Sequence, residues 1–375
     1  MSAPNEELLL TGVPSFSAGL MLREVLREEG TQVHLVVRPK QHEALESLFE
    51  SLLAEIGAGF KERVHVLEGD PTHIDFGLSG AEFNDLRKRV TRIHHMSEVI
   101  APSASKEIAT QGNINSVREV LELARVAPRL ESLVAHSTAL VSGKKSGLVQ
   151  EEDLDLTRGF RNVVEETKAR GERMLREAMR DVPISIVRPS ITVGSSQTGE
   201  IDRFEGPYLL ILLMMSSPRD WALPLPGRGD SPLHLVPIDF VVRASRAIGL
   251  DPAAKGKTFH LVDPHPLTAK RIFELVADAA GKRSPRGFIP ANLTKAILRT
   301  PGLDRFAKSP RAFIDALGAN VWYDSKNTEA LLTPKGITCP PFPSYVDKLV
   351  EYIDHRLRSR RSTKDDAFDA LDGVT

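Results

Sequence analysis

The first half of the chain alternates short apolar segments with amphipathic ones, and this alternation limits the fold more than any other feature. Strands are predicted before Gly194 at ELLLTG, VHLVVRP, RVHVLEGD, RIHHMSEVI, LESLVAHSTALV and ISIVRPSITVG. Helices are predicted among them at AGLMLREVLREEG, VREVLELARVA and GFRNVVEETKARGERML. Mostly apolar strands alternating with helices are typical of a parallel sheet covered on both faces. The sequence therefore predicts an α/β fold, a doubly wound Rossmann-like core over residues 1–194.

The sequence changes character after Gly194. SSQTGEIDRFEGPY is polar and turn-rich, and PRDWALPLPGRGDSPLHLVP is dense in proline and glycine. We predict a smaller C-terminal, substrate-side lobe over 195–355, from which a helix (PIDFVVRASRAIGL) and a strand (KTFHLVDP) return to the core within about 232–263. The charge-blocked end over 356–375 predicts a flexible tail.

Composition excludes several functional classes. A net charge of −1 gives no basic field that would attract nucleic acid. The single cysteine, Cys339, excludes an internal disulfide. The longest apolar run, YLLILLMM from Tyr208, is too short to cross a bilayer, and the N-terminus lacks a secretion signal. We therefore expect a cytoplasmic protein without a transmembrane segment; no residue spacing predicts a metal site, and the oligomeric state stays open.

The turn after the first strand, TGVPSFSAG, lies where Rossmann sheets bind dinucleotides. It resembles the T-G-x-x-G-x-x-G turn of the extended short-chain dehydrogenase/reductases, although Ser15 and Ala18 replace the second and third glycines. Ser15 would be strained by about 1–2 kcal/mol if its position needed a positive φ. The resemblance implies that a cofactor, NADP(H) if any, contacts Thr11, Gly12, Ser15 and Phe16, with Arg38 at its 2′-phosphate and Asp70 near its adenine.

Longer motifs carry a closer resemblance. HSTALVSG, FRNVVEETKARGERML, ISIVRPSITVGSSQTGEIDRFEGPY and LVPIDFVVRA are similar to the fatty acyl-CoA reductase and thioester-reductase branch, which includes the male-sterility domains. The resemblance implies reduction of an acyl thioester with NADPH by a Ser/Thr, a tyrosine and a lysine. It assigns the carbonyl-binding hydroxyl to Thr138, the lysine that holds the nicotinamide ribose to Lys168, and an active-site asparagine to Asn113. Pro189 and Ser190 match the segment beside the nicotinamide.

The tyrosine of this set is missing, because Val164 occupies its position four residues before Lys168. One hypothesis is a pseudoenzyme that binds an acyl group, a nucleotide or a protein partner without hydride transfer. The alternative is an NADPH-dependent reductase of fatty acyl-CoA or carrier-bound thioesters with another proton donor; among the four tyrosines only Tyr208 resembles a residue near the family's pocket.

A third hypothesis concerns the basic segment 282–311. It mixes cations with apolar side chains, which would suit docking on a membrane surface, CoA or an acyl carrier protein. Its residues include Arg283, Arg286, Lys295, Arg299, Arg305, Lys308 and Arg311 alongside Phe288, Ile289, Leu293, Ile297 and Leu298.

Overall fold

The computed structural model describes residues 6–289 and 317–372, apart from the side chains of residue 209 and of those beyond 359. Its strands are β1 Glu7–Thr11, β2 Gln32–Val37, β3 Val64–Glu68, β4 Arg92–His95, β5 Ser132–His136, β6 Gly147–Val149, β7 Ile184–Pro189, β8 Ile191–Val193, β9 Leu225–Pro226, β10 Leu235–Pro237, β11 Thr258–Leu261, β12 Phe288–Ile289 and β13 Val321–Tyr323. Its helices are α1 Phe16–Leu26, α2 His42–Ile56, α3 Gly80–Arg89, α4 Lys106–Thr110, α5 Ser116–Val126, α6 Val163–Ala178, α7 Tyr208–Ser216, α8 Ile238–Leu250, α9 Ala269–Ala279, α10 Lys326–Leu332 and α11 Val346–Asp372.

Seven strands form one sheet in the order β11-β7-β5-β4-β1-β2-β3, and every neighbouring pair is parallel. The predicted doubly wound α/β fold is confirmed. Strand order reverses between β1 and β4, so the loops that follow these two strands flank a topological switch point, where open α/β sheets bind ligands. The turn at Thr11 and the loop after His95 therefore define the place to look for a site.

The described residues divide into two compact units. The first comprises Met1–Ser190, Asp239–Pro264 and Val321–Cys339, and it contains the seven-stranded sheet. Its central strands are mostly buried because both faces of the sheet are covered there; all five residues of β5 are buried, whereas the edge strand β3 is partly exposed. The short strands β6 and β13 pair in parallel in this unit, a pairing that sequence analysis did not anticipate.

The second unit comprises Ile191–Ile238, His265–Asn320 and Pro340–Thr375. One apolar cluster joins α7, α9 and α11, with Phe273 and Ile353 fully buried in it. Tyr208 is also buried there, and its hydroxyl accepts a 2.7 Å hydrogen bond from the Gly194 amide. In this unit Tyr208 therefore packs in the core and orders a turn. The flexible tail over 356–375 stays a prediction.

Candidate cofactor and catalytic site

The first half of the turn after β1 binds the loop after β4. The Thr11 hydroxyl accepts hydrogen bonds from the amides of Met96 and Ser97, both at 3.1 Å. Gly12 has φ +94°, and a Cβ at this position would lie 2.3 Å from the Met96 carbonyl oxygen. Only glycine combines that backbone conformation with so close an approach. Thr11 and Gly12 thus hold the two loops of the switch point against each other.

Ser15 is not strained. Its φ of −59° lies in the ordinary range, so the penalty for a positive φ that sequence analysis considered does not arise. Ser15 occupies the N-cap position of α1, yet its side chain accepts no capping hydrogen bond. Its Oγ is buried and has no hydrogen-bond partner. A buried hydroxyl without a partner costs free energy, and a ligand oxygen at the first turn of α1 would satisfy it.

Arg38 and Asp70, which the resemblance assigned to different parts of the cofactor, pair with each other. Arg38 Nε donates to Asp70 Oδ2 at 2.7 Å, and Asp70 Oδ1 accepts from the Thr72 amide and hydroxyl. Burial alone would raise the pKa of the Asp70 carboxyl, but these hydrogen bonds and the charge of Arg38 outweigh it and lower the pKa. The pair is about three-quarters buried at the carboxyl end of β2.

Asn113 lies in a π-helical segment, Gln111–Asn115, between α4 and α5. Its side-chain oxygen accepts from the Val99 amide at 2.8 Å, and its Nδ2 donates to the Val99 carbonyl at 3.0 Å and to the Thr167 hydroxyl at 3.1 Å. Both ends of the amide are therefore used inside the protein. Asn113 ties the loop after β4 to α6.

Thr138 stands at the end of β5. Its hydroxyl accepts from the Leu140 amide at 3.3 Å, which caps the following helical turn, and lies 3.4 Å from the Pro189 carbonyl. Ser190 is buried, and its amide donates to Leu261 in β11. The structure thus brings Thr138 and Pro189 together at the carboxyl ends of β5 and β7.

Helix α6 carries Val164 and Lys168 one turn apart. Asn162 caps the helix by accepting from the Glu165 amide at 2.9 Å. Val164 is only 7% exposed. Lys168 Nζ donates to the His136 carbonyl at 3.0 Å and forms an ion pair with Glu98. Sequence reasoning missed Glu98, because an acid in a loop carries no signal of a partner seventy positions away.

A second buried cluster, also missed from the sequence, lies on α6. Glu172 accepts two hydrogen bonds from the Arg188 guanidinium, one from Arg176 and one from the Ser137 hydroxyl. Burial would raise the pKa of the Glu172 carboxyl, but the charges and hydrogen bonds of the two arginines, together with the serine hydroxyl, lower it to about 2. The cluster joins α6 to β5 and β7 beneath the site.

Part of the predicted docking segment can be located. Arg283, Arg286 and Phe288 are exposed in the second unit, whereas residues 290–311 lie outside the described residues. In the part of the chain that the structure describes, no helix is long and apolar enough to cross a membrane. Within the same residues, no group of three histidine, cysteine or acidic side chains is placed to hold a metal ion.

Comparison with known proteins decides the family. A family model described as "Male sterility protein" (NAD_binding_4) matches residues 10–245. The chain belongs to this family. Human fatty acyl-CoA reductase 2 is 23% identical over 283 residues, covering 65% of this chain and 54% of that protein. The chain thus spans about half the length of the curated relatives it matches first.

Solved structures agree with the family on the fold. The terminal R domain of the myxalamid PKS-NRPS pathway superposes with a TM-score of 0.78 at 22% identity, covering 95% of this chain and 92% of that domain. A thiolation-reductase di-domain from an archaeal non-ribosomal peptide synthetase gives 0.73 at 17% identity, over 94% of this chain and 76% of that one. The motif resemblance to the fatty acyl-CoA reductase and thioester-reductase branch is confirmed, and the chain is a reductase-fold protein of that group.

Proposed function

We propose that this male sterility family protein is a pseudoenzyme: it binds an acyl group, a nucleotide or a protein partner without tyrosine-dependent hydride transfer. The observation that carries the proposal is Val164, a buried hydrocarbon one helical turn before Lys168. Hydride arriving at a carbonyl carbon builds negative charge on the oxygen, and a positioned acid has to neutralise it. General acid assistance is typically worth ~10²–10⁴-fold in rate, and valine has no proton to give.

The cofactor fits one end of the site better than the other. At the pyrophosphate end, the Ser15 hydroxyl is buried without a partner, while the close approach at Gly12 is taken up by the Met96 carbonyl. A nicotinamide cofactor held there would supply hydride. At the other end, Lys168 is already engaged by Glu98 and the His136 carbonyl. Arg38 beside the end of β2 supports NADP(H) over NAD(H), since a guanidinium suits the 2′-phosphate, although its Nε already donates to Asp70.

The alternative proposal is an NADPH-dependent reductase of acyl thioesters that uses another proton donor. The position of Thr138 just after β5, with a half-buried side chain beside Pro189, supports it. The substrate class follows from the relatives, one named for fatty acyl-CoA and one for a thiolation-reductase pair, so CoA-bound and carrier-bound thioesters are both candidates.

The test restores the missing acid. Val164→Tyr places a phenol one turn from Lys168, and oxidation of NADPH in the presence of a fatty acyl-CoA is followed by absorbance. The pseudoenzyme proposal expects no turnover by the natural protein and turnover at least about 10²-fold above background for the variant. Val163→Tyr is the matched control, because it puts the same phenol on a neighbouring helical position that faces another direction.

Calorimetric titration with NADPH and NADP⁺ separates the two ends of the site. Binding by the natural protein would show that the turn works with Ser15 in place. Binding only by Ser15→Gly would locate the loss at that turn and strengthen the pseudoenzyme proposal. Turnover by the natural protein with acyl-CoA, unchanged by Val164→Tyr, would reject the pseudoenzyme proposal in favour of the alternative.

A further inference from the structure

The loop after β4 is pinned on both sides of Glu98. On one side the Thr11 hydroxyl accepts from the amides of Met96 and Ser97. On the other side the Asn113 side chain closes a pair of hydrogen bonds with the Val99 amide and carbonyl, at 2.8 and 3.0 Å. A loop held at adjacent residues has few conformations available, so the position of Glu98 is set by the fold.

The carboxylate that this loop presents meets the Lys168 ammonium. The lysine side chain is 6% exposed and the glutamate side chain 21% exposed, so the pair is largely desolvated but can be reached from solvent on the acid side. The His136 carbonyl takes a further hydrogen bond from Lys168. An ammonium this deeply buried depends on its counter-ion, because a lone charge is costly to remove from water.

We propose that Glu98 determines what the Lys168 site accepts. The Lys168 ammonium has three N–H donors, and Glu98 and the His136 carbonyl each take one. A nicotinamide ribose that binds through two hydroxyls therefore completes its contacts only by displacing Glu98. The inference rests on the proposed function in one respect, the assignment of Lys168 to the ribose. Thr11 and Asn113, residues expected to serve cofactor or substrate, act here as positioning residues for this acid.

Glu98 and the ribose hydroxyls would compete for the Lys168 ammonium, and their different charges make this competition unequal. The ribose hydroxyls are neutral acceptors, whereas Glu98 is an anion fixed to the same chain, and hydrogen bonds between two charged groups are the stronger kind. Neutralising the acid without changing its shape removes that advantage. Glu98→Gln retains side-chain volume and an acceptor oxygen, so it is the substitution that isolates charge.

The experiment titrates natural protein and Glu98→Gln with two probes, in both the natural and the Ser15→Gly backgrounds. NADPH has the nicotinamide ribose, whereas adenosine 2′,5′-bisphosphate has only the adenine half. We expect Glu98→Gln to tighten NADPH binding about tenfold or more, which is a change of about 1.4 kcal/mol. Binding of the bisphosphate should not change. Glu107→Gln, an exposed acid on α4, is the matched control and should alter neither affinity.

The Lys168→Ala background tests whether the effect of Glu98→Gln on NADPH affinity depends on Lys168. In Lys168→Ala, Glu98→Gln should no longer tighten NADPH binding. The inference is overturned if NADPH affinity is unchanged in both serine and glycine backgrounds, if the bisphosphate affinity changes equally, or if the gain persists without Lys168. Should Glu98→Gln fail to fold, Glu98→Asp retains the charge but shortens the reach by one methylene, and it should tighten NADPH binding in the same direction. Affinity and turnover are separate readouts, so failure here leaves the Val164 test intact.

Discussion

Glu172 is a buried carboxyl near the site whose ionised form is stabilised by its hydrogen-bond partners. It is 1% exposed and receives hydrogen bonds from two arginines and a serine. Its pKa is about 2 in the folded protein against 4.5 as the ordinary value. A carboxyl with a lowered folded pKa stabilises the fold above its unfolded pKa and loses that contribution as the pH falls through the folded pKa.

Because the pKa of Glu172 is lowered in the folded protein, its stabilising contribution should decrease as the pH falls. Between pH 4.5 and about 2, the Glu172 contribution to the free energy of unfolding should fall by roughly 3 kcal/mol. Urea denaturation of the natural protein and of Glu172→Gln across this range measures it as a difference, because the other carboxyls titrate in both. The glutamine variant should be less stable by about 3–5 kcal/mol at pH 6, since Arg188 is left buried without its partner. A difference that stays constant with pH would contradict the assignment.

At the scale of single residues, the sequence predicted the site residues that belong to recognisable local motifs. Thr11, Gly12, Asn113 and Lys168 were assigned by motif order. The first two lie at the switch point, and the other two, on helical segments, contact the loop after β4. Their partners were not predicted, because Glu98 and Arg188 reach the site through the folded chain and not through spacing. The roles of the predicted residues in binding and catalysis stay predictions.

At the scale of elements, helix α6 packs unusually close to the π-helical segment that carries Asn113. A Cβ at Gly171 would lie 2.2 Å from the Asn113 carbonyl oxygen, a backbone atom that cannot rotate away. Gly171→Ala should therefore destabilise the protein by about 1–3 kcal/mol through overpacking. Alanine's helix propensity, worth up to about 1 kcal/mol over glycine, opposes this and does not reverse it.

Thermal denaturation of Gly171→Ala and of a control substitution at a second glycine separates the effect of packing from that of helix propensity. Gly80 begins α3 and has open space where a Cβ would be, so Gly80→Ala should be neutral or slightly stabilising. Equal effects of the two substitutions would mean that the close approach at Gly171 relaxes at no cost. The strands of the main sheet and helices α1, α5, α6 and α8 were predicted from their apolar or periodic patterns, whereas α2, α3 and α4 were not. Strands β6 and β13 have three residues each and pair across more than 170 positions, so nothing local marks them.

At the scale of the whole molecule, the first unit is assembled from three stretches of chain. The last of them, Val321–Cys339, is attached by the pairing of β13 with β6 and by one buried acid. Glu151 is 1% exposed and accepts hydrogen bonds from the His260 amide in β11 and from the Asn327 amide and the Thr328 amide and hydroxyl in α10. Sequence analysis assigned only residues near 232–263 as returning to the core, because contacts as non-local as those of Glu151 with α10 leave no local pattern in the sequence.

Removing the acid should loosen that attachment first. Glu151→Ala leaves the amides of His260, Asn327 and Thr328 without an acceptor, whereas the Thr328 hydroxyl keeps the His260 carbonyl. Each unsatisfied buried group costs about 1–3 kcal/mol, so we expect a loss of about 3 kcal/mol or more. Hydrogen exchange should accelerate at Asn327 and Thr328 before the central strands are affected. Burial raises the pKa of the Glu151 carboxyl to about 7, although its hydrogen bonds act to lower it. The measurement is therefore made at pH 8, where the carboxyl is mostly ionised. Glu152→Ala, an exposed neighbour that receives one hydrogen bond from Asn327, is the control. If both variants exchange alike, the attachment of Val321–Cys339 rests on apolar packing and the charge at Glu151 is incidental.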